Sequence, residues 1–340
     1  MTTLKNALLG CVALLPVSAA AGELNLICSA DVVICEKLVS EFEASHSDID
    51  VNMVRLSSGE AYAKIRAEAR NPQTDLWWGG TGDPHLQAAA DGLSMEYKSP
   101  MLDKLQDWAQ MQAKTSDYHT VGVYSGALGW GFNTKIFEEK GIKAPQCWSD
   151  LLDPALKGEI QIADPNSSGT AYTTLATLVQ IMGEDEAFDF LRKMHANVSQ
   201  YTKSGSAPVK AAARGETGLG IVFQHDAVAQ AVEGFPVEVG SPCEGTGYEI
   251  GSMSMIEGTQ NEEEAKVFYD WVLTSEVQGM MPEAGSFQIP SNASAKAPKE
   301  APDLSKIKLI DYDFAEYGSA ERRKALLARW DKEVGSLPLQ

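Results

Sequence analysis

The sequence predicts an α/β protein folded as two lobes. Short apolar strands alternate with amphipathic helices along most of the chain, and a long glycine-bearing strand over 121–133 interrupts that alternation once. The length of 340 residues also exceeds what one domain of typical size takes up.

Residues 24–28 form the first strand. Over 31–44, Val33, Ile34, Leu38, Val39 and Phe42 recur at helical spacing, and 49–56 then alternates as a strand does, so the chain opens β-α-β. A helix over 60–70, a strand over 75–79 and a helix over 83–90 continue the series as in a parallel sheet. The stretch 121–133 (VGVYSGALGWGFN) reads as a long strand whose glycines permit bending, and the first crossover between lobes is placed there. A second series follows, with strand 160–163, helices 169–182, 186–195 and 208–214, and strand 219–223. Residues 249–256 read as a return strand, and 262–273 as an amphipathic helix with Ala265, Val267, Phe268 and Trp271 on its apolar face. The Ala-, Pro-, Ser- and Lys-rich 292–303 is a connecting loop, and 317–334 is a helix wrapping back onto one lobe. Lobe 1 is thus assigned 22–124 and 247–298, and lobe 2 is assigned 125–246 and 299–340.

Composition excludes several classes. With 28 Lys and Arg against 47 Asp and Glu, the net charge is −19, which leaves no basic field to hold nucleic acid or anionic lipid. Beyond the N-terminus no run reaches the roughly 18 apolar residues of a membrane span. At the N-terminus itself, Lys5, an apolar run over 7–15, Pro16 and the small residues Ser18 to Ala21 read as a secretory signal peptide over 1–21, cleaved after Ala20 or Ala21. Export places Cys28, Cys35, Cys147 and Cys243 in an oxidising compartment, where two disulfides are the expectation. Three pairings are open; Cys28 with Cys35 is the local choice and leaves Cys147 with Cys243. A zinc site would need close Cys-x-x-Cys spacing and a set of histidines that the chain lacks.

The most informative loop is 164–170, where Asp164, Pro165, Asn166, Ser167, Ser168, Gly169 and Thr170 join an apolar strand to a helix. Free N–H groups and the positive end of that helix favour an anion, and Ser and Thr hydroxyls add donors. The same residues would also serve as an ordinary helix cap. Ser57-Ser58-Gly59-Glu60, Gly79 to Pro84 with Thr81, and Ser29 after the first strand are similar elements. Four such loops at strand carboxyl ends suggest a cleft. His225 and Asp226 follow strand 219–223, where Asp226 is either a hydroxyl acceptor or a cap. Glu249 sits among apolar and small residues, where a buried carboxylate needs partners. Trp77 and Trp78 are either lobe core or a stacking surface for a sugar ring. No nucleophile elbow, His-Glu-x-x-His or Walker-type phosphate-binding loop occurs, so catalysis is not expected.

The run Cys147-Trp148-Ser149-Asp150-Leu151-Leu152-Asp153-Pro154-Ala155-Leu156-Lys157-Gly158-Glu159-Ile160, followed by Asp164-Pro165, resembles ferric-ion-binding-like periplasmic proteins, the substrate-binding components of ABC importers. The resemblance spans the mature chain. It implies the type II periplasmic binding fold: two α/β lobes, two crossover strands as a hinge, and a ligand cleft between. Iron binders of that group carry adjacent tyrosines where this chain has His225 and Asp226, and a first-lobe histidine where this chain reads Cys28-Ser29-Ala30-Asp31. The blocks 79–84, 162–172, 198–205 and 241–251 are similar instead to the hexose-phosphate-binding branch. By that resemblance Ser167, Ser168, Gly169 and Thr170 hold a phosphate, Asp226 and Glu249 read sugar hydroxyls beside His225, and Ser29, Ser58, Gly59, Thr81 and Ser204 contribute. Family members also carry the four cysteines, in keeping with the pairing above. Glu60 departs from the branch, where a small polar residue is usual. The resulting expectation is a monomeric periplasmic protein without cofactor or resident metal. It captures a small phosphorylated sugar such as glucose 6-phosphate and delivers it to a membrane permease. Ferric iron with a synergistic anion, an aminoalkylphosphonate, or a secreted hydrolase are the alternatives.

Overall fold

The computed structural model describes residues 22–339, so the leader expected over 1–21 lies outside the described residues. The strands are β1 (Gly22–Cys28), β2 (Ile49–Arg55), β3 (Leu76–Thr81), β4 (Val121–Asn133), β5 (Ile160–Ala163), β6 (Val198–Thr202), β7 (Leu219–Phe223), β8 (Val237–Gly240), β9 (Tyr248–Met255) and β10 (Ile289–Pro290). Their order is β2-β1-β3-β9-β4-β7-β5-β6, with β8 and β10 also paired to β4. β1 runs parallel to β2 and β3, and β5 runs parallel to β6 and β7. The long strand β4 joins these two parallel groups: residues 121–127 pair antiparallel with β9, and 128–132 pair antiparallel with β7.

Two apolar cores lie on either side of that junction. One gathers Leu24, Leu38, Phe42, Trp78 and Phe268. The other gathers Trp130, Trp148, Tyr172, Phe188 and Trp330. The helix Glu262–Val272 buries Ala265, Phe268, Tyr269 and Val272 in the first core, as its periodicity requires. Leu326 and Trp330 of the helix Ala320–Trp330 enter the second.

Several boundaries differ from expectation for local reasons. The second helix runs Ser58–Ala67 rather than from 60, because Ser57 and Glu60 close a capping box ahead of it. The expected single helix over 317–334 is two: Phe314–Tyr317, then a fresh start at Ala320, where the Ser319 side chain accepts from the Arg322 N–H. β6, β8 and the helix Asp107–Thr115 went unpredicted, being short or largely polar.

Both expected disulfides are formed, Cys28–Cys35 and Cys147–Cys243. Cys28 ends β1 and Cys35 lies in the first turns of the helix Val32–Ser45, so the bridge fixes the loop that carries Ser29. Replacing both Cys28 and Cys35 by Ser is expected to cost about 2 kcal/mol, since the closed loop is short. Denaturant titration checks this; an unchanged midpoint would show that the bridge does not constrain the unfolded chain.

Candidate functional site

The parallel strands on both sides of β4 end at one cleft. Ser29, Asp31, Arg55, Ser57, Ser58 and Thr81 reach it from β1, β2 and β3. Ser168, Gly169, Thr170, Ser206 and Asp226 reach it from the loops after β5, β6 and β7, and Glu249 lies near the start of β9. Tyr124 and Gln288 complete the wall. Carboxyl ends of parallel strands are where open α/β sheets present ligand-binding loops, because the following helices begin there.

Three helix N-termini face this pocket: Ser58–Ala67, Gly82–Ala90 and Gly169–Met182. Their first N–H groups have no intrahelical acceptor, and their dipoles favour negative charge. The Thr81 N–H donates to Ser58 Oγ at 3.3 Å, while Thr81 Oγ1 is buried with no hydrogen bond of ordinary geometry. The Asp83 carboxylate lies within reach of that hydroxyl, which can turn from it to a ligand oxygen. The loops meet closely because of two glycines. Gly80 has φ +82°, and a Cβ there would lie 2.3 Å from Ser58 Oγ; a Cβ on Gly169 would lie 2.1 Å from Thr81 Oγ1.

Sequence reasoning missed the cation. Arg55, the last residue of β2, donates from Nε to the Ala30 carbonyl at 3.0 Å, from Nη1 to Ser57 Oγ at 3.1 Å, and from Nη2 to Ser204 Oγ at 3.1 Å. These bonds hold a planar cation at the pocket wall, suited to phosphate or carboxylate oxygens. Its signal was an arginine two residues before a Ser-Ser-Gly loop. Asp31, Tyr124, Ser206 and Gln288 were missed as well, and neither Tyr124 nor Gln288 lies in a loop that opens a helix.

Four expected residues stand back from the inner pocket. Ser167 Oγ donates to the carbonyls of Lys203 (3.0 Å) and Asp164 (3.2 Å), and the Gly59 N–H donates to the Ser167 carbonyl at 2.9 Å. Ser167 and Gly59 thus brace the two loops against each other. Ser204 receives Arg55 and so helps orient it. His225 lines the outer part of the cleft. The Trp77-Trp78 pair is core, not a stacking surface: Trp77 stacks on His85 at 3.6 Å and donates to Ser29 Oγ at 2.8 Å, orienting that hydroxyl, and Trp78 lies in the first core. His46, His85, His119 and His195 have structural partners, respectively Phe42, Ser254 with Gly79, Ser94, and Tyr201 with Pro338.

At the far end, His225 Nε2 lies 3.7 Å from both Asp226 Oδ1 and Glu249 Oε1. Burial holds His225 down at about 3, so the ring is neutral. Burial, with the Asp31 charge second, pushes Asp226 up to about 7, against the pull of Lys210 and Arg55. Burial, then Asp226 and Asp83, raises Glu249 well above the usual carboxylate range. Two poorly solvated carboxyl groups here await hydroxyl or amine donors. Among the described residues, the His, Cys, Asp and Glu donor atoms that gather within 4.8 Å of one another are those of Cys147, Cys243 and Glu244, and the two sulfurs are joined in a disulfide.

A raised carboxyl pKa sets the sign of a pH effect. Asp226 binds a proton more tightly folded than unfolded, so its contribution is fully present below its unfolded value of 3.8 and is lost as pH rises through about 7. Ligand-free protein is therefore expected to melt at lower temperature at about pH 8 than at about pH 5, and Asp226→Asn to flatten that slope. A scanning-calorimetry series in which the variant keeps the full slope would place the effect elsewhere.

Residues 82–317 match the family of bacterial extracellular solute-binding proteins. A solved structure of the periplasmic binding protein AfuA from Actinobacillus pleuropneumoniae, with exogenous fructose-6-phosphate bound, is 46% identical and superposes with a TM-score of 0.90, covering 93% of this chain and 99% of that one. An uncharacterized protein of Haemophilus influenzae is 48% identical over 317 residues, 93% of this chain and 91% of its own. Iron-bound HitA from Pseudomonas aeruginosa shares the fold alone, at 17% identity and a TM-score of 0.76 over 91% of this chain and 99% of its own.

Proposed function

The chain belongs to the family of bacterial extracellular solute-binding proteins, and from that premise we propose that its cleft captures a hexose phosphate for delivery to the membrane permease of an ABC importer. Binding proteins of this kind take up solute without a chemical step, and periplasmic members are found among its relatives. The observation that carries the choice of ligand is the pairing of two unlike ends. One end offers three helix N-termini, the buried Thr81 hydroxyl and the Arg55 guanidinium. The other offers Asp226 and Glu249. An anionic group satisfies the first and hydroxyl donors satisfy the second, which a phosphorylated sugar does in one molecule. Fructose-6-phosphate bound to AfuA, at 46% identity, supports the same class.

In this reading Ser58, Thr81, Ser168, Gly169, Thr170 and Arg55 receive the phosphate, Ser29 and Ser206 flank it, and the sugar ring points to Asp226 and Glu249. The lobes are those assigned above, 22–124 with 247–298 and 125–246 with 299–340, and they hinge where β4 passes between the parallel groups.

Calorimetric titration of metal-stripped mature protein with glucose 6-phosphate and fructose 6-phosphate tests the proposal, with glucose, inorganic phosphate, aminoethylphosphonate and ferric citrate as controls. Binding of a hexose phosphate in preference to every control is expected. Preference for aminoethylphosphonate would mean that the carboxylates pair an amine, and preference for ferric citrate would make His225, Asp226 and Glu249 metal ligands.

A further inference from the structure

The cleft does not end at the carboxylates. Beyond them it opens into an outer chamber of about 280 Å³, larger than the inner pocket of about 50 Å³. The two spaces share only Asp31, Ile34, Ser206 and Asp226, so side chains rather than a wall of secondary structure divide them. From this geometry we infer that the chamber is a second subsite, which takes an apolar or aromatic substituent on the sugar at the end remote from its phosphate. The inference rests on the hexose-phosphate reading and narrows it to glycoside phosphates.

Orientation fixes which end of the sugar meets the chamber. With the phosphate on C6 held by the helix N-termini, the ring extends toward Asp226, and its C1 end faces outward. A group linked through C1 passes the carboxylates and enters the chamber, while the sugar keeps all of its inner contacts.

The lining says what that group is. Val33, at the start of the helix Val32–Ser45, and Phe235, just after the helix Gln224–Val232, line the chamber from opposite sides and are 55% and 38% exposed. Val209 and Ala229 extend the apolar surface between them. An exposed aromatic and an exposed aliphatic lining one chamber leave apolar area for a ligand to cover. A second phosphate fits less well, because the two cations present are already engaged: Lys210 pairs with Asp31, and Arg214 pairs with Glu216 at 2.6 Å. Asp31, Asp226 and Glu233 would also repel it.

The test compares glucose 6-phosphate with phenyl glucoside 6-phosphate and methyl glucoside 6-phosphate, by titration against the mature protein and against Phe235→Ala and Val33→Trp. The phenyl glucoside phosphate is expected to bind at least tenfold more tightly than the methyl one. Phe235→Ala should remove most of that advantage, and Val33→Trp, which narrows the chamber, should remove it as well, with glucose 6-phosphate binding unchanged within about twofold. Binding of glucose 6-phosphate with the phenyl compound a hundredfold weaker would overturn the subsite and leave the hexose-phosphate reading standing. An advantage that survives both substitutions would overturn the subsite too. Silence from all three ligands would overturn the hexose-phosphate reading and this inference with it.

Discussion

Gly169→Val is expected to abolish sugar-phosphate binding, by roughly a hundredfold or more, equivalent to about 2.7 kcal/mol. Gly169 opens the helix Gly169–Met182, and a Cβ there would sit 2.1 Å from Thr81 Oγ1, 2.8 Å from Thr81 Cγ2 and 3.0 Å from Ser58 Oγ. Neither Thr81 nor Ser58 has a long side chain that can swing aside, and a branched residue worsens the conflict. The loops are therefore held apart at the place where the phosphate is to be gripped. Each charge-assisted hydrogen bond lost there is worth roughly 1.5–3 kcal/mol. The backbone at Gly169 is not left-handed, and valine is tolerated at a helix start, so the melting temperature should move little. Circular dichroism melting beside titration separates the two effects. Normal affinity in the folded variant would mean that the two loops do not meet around the ligand.

Asp226→Ala is expected to weaken hexose-phosphate binding by roughly 30- to 100-fold while leaving the weak affinity for inorganic phosphate unchanged. The carboxylate lies outside the helix N-termini that hold the phosphate, and it faces the sugar hydroxyls in the proposed pose. Its raised pKa shows that the ligand-free protein solvates it poorly, chiefly through burial and secondarily through Asp31. Hydroxyl donors relieve that cost, and the relief appears as affinity. An equal loss for inorganic phosphate and sugar phosphate would instead assign Asp226 to the general shape of the cleft.

Much of this arrangement was legible in the chain, and the exceptions share a physical cause. The loops 29, 57–60, 79–84 and 164–170 declared themselves because Ser, Thr and Gly before an apolar helical run serve local needs and ligand alike. Which of them line the pocket was not legible. Ser167 and Ser168 are chemically identical neighbours, yet Ser167 turns its hydroxyl to Lys203 and Asp164 while Ser168 caps its helix at the pocket. Arg55 escaped notice because it ends an alternating strand, where an exposed charge is ordinary. Tyr124 and Gln288 are brought to the cleft by pairings distant in sequence, β4 with β9 and β10 with β4. Trp77 and Trp78 needed the sheet order to decide between two readings. The sequence allows either lobe core or a stacking surface, and the position of β3 between β1 and β9, with both rings buried, makes them core.

The most direct test of the account is a crystal structure of the mature protein soaked or grown with glucose 6-phosphate. The account predicts the phosphate within hydrogen-bonding distance of the Gly169 and Thr170 N–H groups, Thr81 Oγ1 and Arg55, with the C1 end toward Asp226 and the outer chamber. Phosphate beside Lys210 and Arg214, a metal ion among His225, Asp226 and Glu249, or a cleft that stays empty at saturating ligand would contradict it.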